Sequence, residues 1–202
     1  RILNELTRFI RPFGPVLGSY QDFLATMDVT AAKAKYASET NSLLPEINLK
    51  KRMFLRDAYH PLLYLSNKLK EEKTYPQTIE LHPENRIIVI SGPNAGGKSI
   101  TLKTIGLLQV MLQSGLLVPT DPNSKMCFFS SVLTDIGDNQ SIDNHLSTYS
   151  YRLRRMKHFL EVANRKTLLL LDEFGTGSDP DLGGALAEVF FETLYNRKCF
   201  GV

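Results

Sequence analysis

The chain has 202 residues, of which 24 are Lys or Arg and 21 are Asp or Glu, so 24 − 21 gives a formal net charge of +3. Hydrophobic residues make up 43% of the chain, which is enough for a packed core and excludes intrinsic disorder. No stretch approaches the roughly 18 to 20 consecutive apolar residues that span a bilayer, and no signal peptide is visible, which predicts a cytoplasmic protein without a membrane partner. Cys127 and Cys199 lack the spacing of metal ligands, so we expect two buried thiols.

Both ends of the sequence predict that it is part of a longer protein. It begins at Arg1 rather than at a methionine, and residues 199–202 have the character of the opening of a β-strand. We therefore expect domains outside this segment to contribute to the function of the whole protein.

The first part of the chain predicts a helical segment followed by a short strand. Apolar residues recur at helical spacing through residues 1–44, with interruptions at Pro12 and Pro15. A β-like run follows at residues 53–58, and the charged residues 68–73 predict a solvated loop.

Residues 86–91 open a second region, in which strands alternate with helices. This continuous run, rich in β-branched residues, predicts a strand that is buried on both faces. The later elements are a helix at 99–113, one or two strands at 126–136, a helix at 149–163, a buried strand at 167–171 and a helix at 182–194. Such alternation predicts an α/β domain with a mixed, largely parallel central sheet. We place the helical segment at residues 1–45 and the α/β domain at residues 46–202.

A glycine-rich segment directly after residues 86–91 matches the phosphate-binding loop pattern G-x-x-x-x-G-K-S. Its members are Gly92, Pro93, Asn94, Ala95, Gly96, Gly97, Lys98 and Ser99, with Ile100 next in the following helix. Glycines let successive backbone N–H groups point at phosphate oxygens, and the N-terminus of the helix adds a positive dipole end. In this pattern the lysine contacts the β- and γ-phosphates, and the serine hydroxyl binds Mg²⁺. The alternative is a glycine-rich turn that binds nothing.

Two acidic residues follow the buried strand at 167–171. We expect Asp172 to lie beside the phosphate loop, where a carboxylate supports the Mg²⁺ shell. Glu173 is then the candidate general base for the attacking water, whereas in the alternative both acids only cap a turn. An acid pair at this point favours water activation over phosphorylation of an acceptor. The absence of an Asn-Lys-x-Asp pattern favours ATP over GTP.

Ser147 and Thr148 lie at the predicted start of the helix at 149–163. Both are good N-cap residues, and a helix N-terminus with a hydroxyl is an anion site, although an ordinary helix cap is the alternative. A serine between the phosphate loop and the acidic strand end is where ABC-type ATPases present a signature to the γ-phosphate of the opposite subunit. The sequence therefore predicts a P-loop NTPase domain of the ABC type.

Taken together, these motifs resemble the MutS family of DNA-repair ATPases. The resemblance rests on Ile-Ser-Gly-Pro-Asn-Ala-Gly-Gly-Lys-Ser at residues 90–99, Ser-Thr-Tyr at 147–149 and Leu-Asp-Glu-Phe-Gly-Thr-Gly at 171–177. An ABC transporter subunit would instead carry Leu-Ser-Gly-Gly-Gln, which is missing. Within the family, residues 101–108 and 177–180 resemble the second bacterial branch, which lacks the mismatch-reading domain.

This resemblance implies a head-to-head homodimer with two composite ATP sites. It implies that residues 94–99, including the catalytic Lys98, hold the phosphates. It also implies that Asp172 serves Mg²⁺ and that Glu173 polarises the attacking water. Ser147 then acts in trans on the nucleotide of the other subunit, and residues 1–45 form the end of a helical lever and core region.

Two further nucleotide contacts are implied by the resemblance. Gln140 is expected to sense the γ-phosphate or the water, and Tyr75 to lie against adenine, with a plain surface aromatic residue as the alternative for Tyr75. In relatives a histidine segment follows the strand that begins here at Cys199, whereas this sequence ends at Val202. We therefore expect the isolated segment to bind ATP weakly and to hydrolyse it poorly.

Three functions for the whole protein remain open. The first is an ATP-controlled clamp on mismatched or branched DNA, the second a ribosome-associated quality-control ATPase, and the third a nucleotide-dependent dimerisation switch with slow hydrolysis. The near-neutral charge gives little support for strong phosphate-backbone binding by this segment, so the resemblance alone favours DNA, bound mainly by upstream domains. The candidate basic patch, with a solvated helix face as the alternative, consists of Arg152, Arg154, Arg155 and Lys157.

Overall fold

The computed structural model describes residues 2–93, 96–137, 148–172 and 180–202. Its first elements are α1 (Ile2–Ile10), a 3₁₀ turn (Arg11–Phe13) and α2 (Gly14–Glu39). Pro12 and Pro15 each lie at the start of a helical segment, where a missing N–H costs little because it has no partner within the helix. The prolines therefore divide the helical segment without ending it.

α1 and α2 contribute almost nothing to the cores of the molecule. No residue of α1 is buried, and in α2 only Ala37 is. Large apolar side chains are exposed along both helices, among them Leu3, Phe9, Phe23 and Leu24. Among the described residues, no helix combines the length and the hydropathy needed to cross a membrane.

A small mixed sheet follows the helices. It contains β1 (Glu46–Ile47), β2 (Met53–Ala58), β3 (Gln77–Leu81) and β4 (Lys125–Met126) in the order β1-β4-β2-β3, with only the β1–β4 pair parallel. The β-like run at residues 53–58 correctly predicted β2, whereas β3 was not predicted from the sequence.

Sequence analysis also missed helix α3 (Pro61–Leu69), which lies between β2 and β3. Pro61 occupies its first turn, and His60 Nδ1 accepts a hydrogen bond from the Leu63 backbone N–H at 3.4 Å. His60 is thus an N-cap, a role more common for Ser, Thr, Asp or Asn, which explains why the helix start went unrecognised.

The second sheet is wholly parallel and holds β5 (Ser131–Asp135), β6 (Thr167–Leu171) and β7 (Phe200–Gly201), in that order. Three helices accompany it: α4 (Lys98–Gln113), α5 (Thr148–Val162) and α6 (Pro180–Asn196). These bounds agree with the predicted helices to within a few residues. The predicted run at 126–136 is two strands, and they belong to different sheets.

Residues 86–91 differ from the prediction of a strand buried on both faces. They pair with β7 only at Ile87, through hydrogen bonds from Ile88 N to Gly201 O at 3.0 Å and from Gly201 N to Arg86 O at 2.9 Å. Val89 is 77% exposed. The reason is that β7 offers backbone partners over only a short length, and among the described strands none flanks this run on its other side.

β6 separates two hydrophobic cores because alternate side chains of a strand point to opposite faces. Leu168 and Leu170 join the core formed with α4 and the mixed sheet, whereas Leu169 and Leu171 join the core formed with α5 and α6. All five residues of β6 are buried, as predicted for this strand.

Both cysteines are buried free thiols, as predicted. Cys127 packs in the core on the α4 side of β6, and Cys199 packs in the core on the side of α5 and α6. Burial raises the pKa of Cys127 to about 11 and also raises the pKa of Cys199, so both thiols stay protonated and unreactive at neutral pH.

We predict that Gly106→Ala destabilises the fold. Gly106 faces β6 from α4, and an added Cβ would lie 2.6 Å from Leu170 Cδ1, so that either the fully buried Leu170 side chain or the helix must shift. The free energy of unfolding, measured by urea denaturation, should fall by about 1–3 kcal/mol.

Gly184→Ala is the matched control, because Gly184 lies in α6 with no atom within 4 Å of the added methyl. It should raise the free energy of unfolding by about 0.5–1 kcal/mol, as expected for Ala replacing Gly in a helix. Equal effects of the two substitutions would contradict close packing of α4 on β6.

Candidate functional site

The candidate site lies at the carboxyl edge of the parallel sheet. β5, β6 and β7 run in the same direction, and the pairing of Ile87 with Gly201 is parallel as well. The carboxyl ends of all four segments therefore meet at one edge. Ile136 follows β5, Asp172 follows β6, Val202 follows β7, and the phosphate loop follows the segment that contains Ile87. Open α/β sheets bind their ligands at this edge.

Glycine conformation shapes the described part of the phosphate loop. Gly97 has φ of 79° and forms the N-cap of α4, a left-handed position that favours glycine. The Gly96 N–H donates to the Pro93 carbonyl at 2.9 Å, which closes the turn before the helix. Gly92 has φ of 150°. Asn94 and Ala95 lie outside the described residues.

Lys98 and the two residues after it form the first turn of α4. Lys98, Ser99 and Ile100 are all half-buried. The ammonium of Lys98 donates to the Gly92 carbonyl oxygen, so the side chain reaches back across the loop. A cation held inside a loop of this shape is suited to contact an anion that the loop encloses.

A cavity of about 250 Å³ joins the phosphate loop to the end of β6. Lys98 and Asp172 both line it, so it brings a cation and a carboxylate to one space. The remaining lining residues are apolar: Ile88, Val89, Ile90, Leu102, Leu171, Phe191 and Val202.

Asp172 was expected beside the phosphate loop, and it lines the same cavity as Lys98 although β6 is not the strand next to the loop. β7 lies between β6 and the residues that lead into the loop, since Leu169 pairs with Gly201 and Gly201 in turn pairs with Ile87. The sequence places β6 and the loop far apart along the chain and carries no mark of the strand inserted between them.

Asp135 is a residue of this edge that sequence analysis did not select. Its backbone carbonyl accepts the Asp172 N–H at 2.9 Å, and its carboxylate lies 3.4 Å from Arg155 Nε. Asp135 is the last residue of β5 and is followed by Ile136, so the sequence does not mark it as an acid that ends an apolar run in the way that it marks Asp172.

Two residues of the candidate basic patch on α5, Arg155 and Lys157, make contacts within the molecule. Besides Asp135, Arg155 reaches the Thr134 carbonyl and lies 5.0 Å from the Phe159 ring centroid. Lys157 lies 4.0 Å from Glu161, one turn along the helix. For these two residues, the contacts support the alternative of a solvated helix face over that of a basic patch.

Tyr75 is an exposed residue two positions before β3. Gln77, the first residue of β3, accepts a hydrogen bond from Thr101 Oγ1 at 3.0 Å, which ties this strand to the first turn of α4. Lys73 Nζ lies 5.1 Å from the Tyr75 ring centroid. Tyr75 therefore lies two residues before Gln77, which contacts α4. The contact of Tyr75 with adenine stays a prediction.

Several predicted site residues lie outside the described part of the chain. They are Gln140, Ser147 and Glu173, together with Asn94 and Ala95. α5 begins at Thr148, the residue after Ser147, and the described chain after β6 ends at Asp172, the residue before Glu173. In the described ranges, no cluster of three or more His, Cys, Asp or Glu is suited to hold a metal ion.

Comparison with known proteins identifies the family. The family model of MutS domain V matches residues 88–202, which is more than half of the chain. The chain belongs to the MutS family. The match begins just before the phosphate loop and includes α4, both acidic strand ends and β7, so the candidate site lies within this MutS domain.

The curated relatives place the chain in the MutS2-like branch of the MutS family. "Endonuclease MutS2" of Pediococcus pentosaceus is 41% identical over 187 residues, covering 93% of this chain and 23% of the relative. The proteins of the same name from Finegoldia magna and Clostridium perfringens are each 40% identical, covering 93% and 98% of this chain. The chain spans about a quarter of the length of these MutS2 relatives.

We predict that Gly97→Ala destabilises the MutS domain more than Gly96→Ala. At Gly97 a side chain must adopt φ of 79° and approach Ile100 Cγ2 at 3.3 Å. At Gly96 an added Cβ would meet Pro93 at an ordinary 3.6 Å, and the backbone is not left-handed. The free energy of unfolding should fall by about 1–2 kcal/mol for Gly97→Ala. A smaller loss than for Gly96→Ala, measured by urea denaturation, would contradict the described loop.

Proposed function

We propose that this MutS domain binds and hydrolyses ATP with the help of Mg²⁺, in a longer MutS2-like protein that acts on DNA. The observation that supports this most directly is the cavity at the carboxyl edge of the sheet, which Lys98 and Asp172 line together. The cation at the phosphate loop suits the phosphates of a magnesium–nucleotide complex, and the carboxylate suits its Mg²⁺ ion.

The residues present fit this ligand. Backbone N–H groups of the phosphate loop and the N-terminus of α4 would hold the phosphates, and the Lys98 ammonium would balance their charge. Ser99 and Asp172 offer the hard oxygen donors that Mg²⁺ prefers. When bound, Mg²⁺ would neutralise charge on the phosphate oxygens.

Glu173 would act as the general base for the attacking water. It is the residue after Asp172 in the sequence, and a carboxylate within hydrogen-bond reach of the attacking water can take up its proton. Gln140 would orient the same water or sense the γ-phosphate, and Tyr75 would pack against adenine.

Ser147 would complete the site of a second subunit in an ATP-dependent homodimer. It precedes α5, whose first backbone N–H groups have no partner within the helix and favour an anion. Head-to-head pairing would set this helix start against the γ-phosphate of the partner. Hydrolysis would then depend on the dimer.

α1 and α2 would transmit the nucleotide state to the rest of the protein. Their exposed apolar residues suit contact with other parts of a longer chain, because large apolar patches on a protein surface mark interaction sites. We propose that they form the end of a lever that moves a clamp on mismatched or branched DNA.

We predict that Lys98→Ala weakens ATP binding by at least about tenfold, since it removes the cation that faces the phosphates. Lys103→Ala is the control, as Lys103 is an exposed lysine on the same helix. The measurement is the Kd of a fluorescent ATP analogue with Mg²⁺. Unchanged affinity in Lys98→Ala would refute the phosphate assignment.

We predict that Glu173→Ala retains ATP binding and accumulates an ATP-bound dimer, because only the base is removed. A chain extended past Val202 is the suitable protein, examined by size exclusion with light scattering, with ATP and Mg²⁺ or without. Ser147→Ala should lower turnover only in the dimer. If Ser147→Ala instead lowers the ATP affinity of the monomer, the assignment in trans is wrong.

A further inference from the structure

Basic residues collect at the amino edge of the parallel sheet, opposite the candidate nucleotide site. Lys166 comes directly before β6, and Lys198 comes two residues before β7. The register that pairs Leu168 with Phe200 brings these two lysines to the same edge. Arg165 lies beside Lys166 in the turn between α5 and β6.

The turn before β2 brings further lysines to this edge. Lys51 Nζ donates to the Arg165 carbonyl at 2.7 Å, a contact between residues far apart in the sequence. Lys50 is the residue before Lys51 in the same turn and is exposed. We call the five residues the basic edge: Lys50, Lys51, Arg165, Lys166 and Lys198.

No carboxylate neutralises the basic edge among the residues that the structure describes. Two nearby basic residues differ in this respect, because Arg52 is paired with Glu80, and Lys125 is paired with Glu46 at 2.7 Å. Burial and the neighbouring charges of Arg165 and Lys166 lower the pKa of Lys51, as expected where cations are close together. The overall charge of +3 therefore conceals a local concentration of positive charge.

Two lysines of the basic edge hold left-handed backbone conformations. φ is 54° at Lys51 and 60° at Lys198. At Lys198 this conformation belongs to the C-terminus of α6, where the Lys198 N–H donates to the Tyr195 carbonyl at 2.9 Å and the Cys199 N–H donates to the Leu194 carbonyl at 3.2 Å. Asparagine tolerates the left-handed conformation and can replace either lysine.

We propose that the basic edge binds the phosphodiester backbone of a nucleic-acid duplex. Clustered, unneutralised and largely exposed cations release counterions when they meet a polyanion, which is the main source of backbone affinity. The contact is independent of the bound nucleotide, because it uses the opposite edge of the sheet. It rests on the proposed function in that the longer protein acts on DNA, and it adds a contact surface within this segment to the upstream domains that the family resemblance implies.

The test compares the chain with a triple variant, Lys51→Asn, Lys166→Gln and Lys198→Asn. Asparagine tolerates the left-handed backbone, so the charges are removed without added strain. Fluorescence anisotropy would follow binding to labelled duplexes of about 20 base pairs, DNA in one arm and RNA of the same sequence in the other, over a series of salt concentrations. We expect the triple variant to bind about tenfold or more weakly at low salt, with a salt slope smaller by about 0.9 per lost contact.

A matched control variant carries Lys35→Gln, Lys70→Gln and Lys103→Gln, three exposed lysines away from the basic edge. It loses the same charge and should bind as the parent chain does. Equal weakening in the control, or parent-like binding in the triple variant, would overturn the proposal. The same holds if neither duplex binds, or if polyglutamate competes as well as the duplex, which would point to an acidic protein partner.

Lys98→Ala separates this inference from the proposed ATPase function. Duplex binding should be unchanged in Lys98→Ala, since Lys98 lies at the carboxyl edge of the sheet. Loss of duplex binding in that variant would place the contact at the nucleotide site and overturn the basic edge. Thermal unfolding of every variant checks that the fold is retained.

Discussion

The common direction of β5, β6 and β7 is the constraint on which the rest of the structure depends. Because these strands are parallel, their carboxyl ends meet at one edge and their amino ends at the other. The carboxyl edge holds the phosphate loop and the acidic residues Asp135 and Asp172, whereas the amino edge holds the five basic residues of the basic edge. The candidate nucleotide site and the basic edge are therefore separated by the length of the strands. A site for a metal-bound anion and a surface for a polyanion can therefore coexist in a chain of small net charge.

The fit of α4 on β6 sets where the phosphate loop lies. Gly106 allows the helix to approach Leu170 closely, and Leu102, Ile105 and Leu108 are buried along the same side. The N-terminus of α4 is thereby held at the carboxyl edge, where its dipole faces the cavity. The core on this side of β6 thus stabilises the position of Lys98. From this core, Leu102 also lines the cavity.

Much of the α/β architecture was predictable because its signals are local. The helices α4, α5 and α6 and the strand β6 follow from periodicity and from uninterrupted apolar runs. The phosphate loop follows from glycine and lysine at fixed spacing. α3 and β3 escaped because a histidine N-cap is an unusual helix signal, and because β3 has no clear alternation of exposed and buried residues. The burial of residues 86–91 was overestimated because the same apolar residues suit either a strand buried on both faces or a partly covered strand at the edge of a sheet.

The sequence by itself determined the residue types of the candidate site and the membership in the MutS family, since both rest on residue types at short, fixed intervals. Only the tertiary structure decided which strands are neighbours: β7 lies between β6 and the phosphate loop, so Asp172 meets Lys98 across a cavity. Only the tertiary structure placed Lys51 beside Arg165, and Asp135 beside Asp172. The physical reason is that strand order and turn contacts depend on the packing of distant segments, which leaves no periodic trace in the chain.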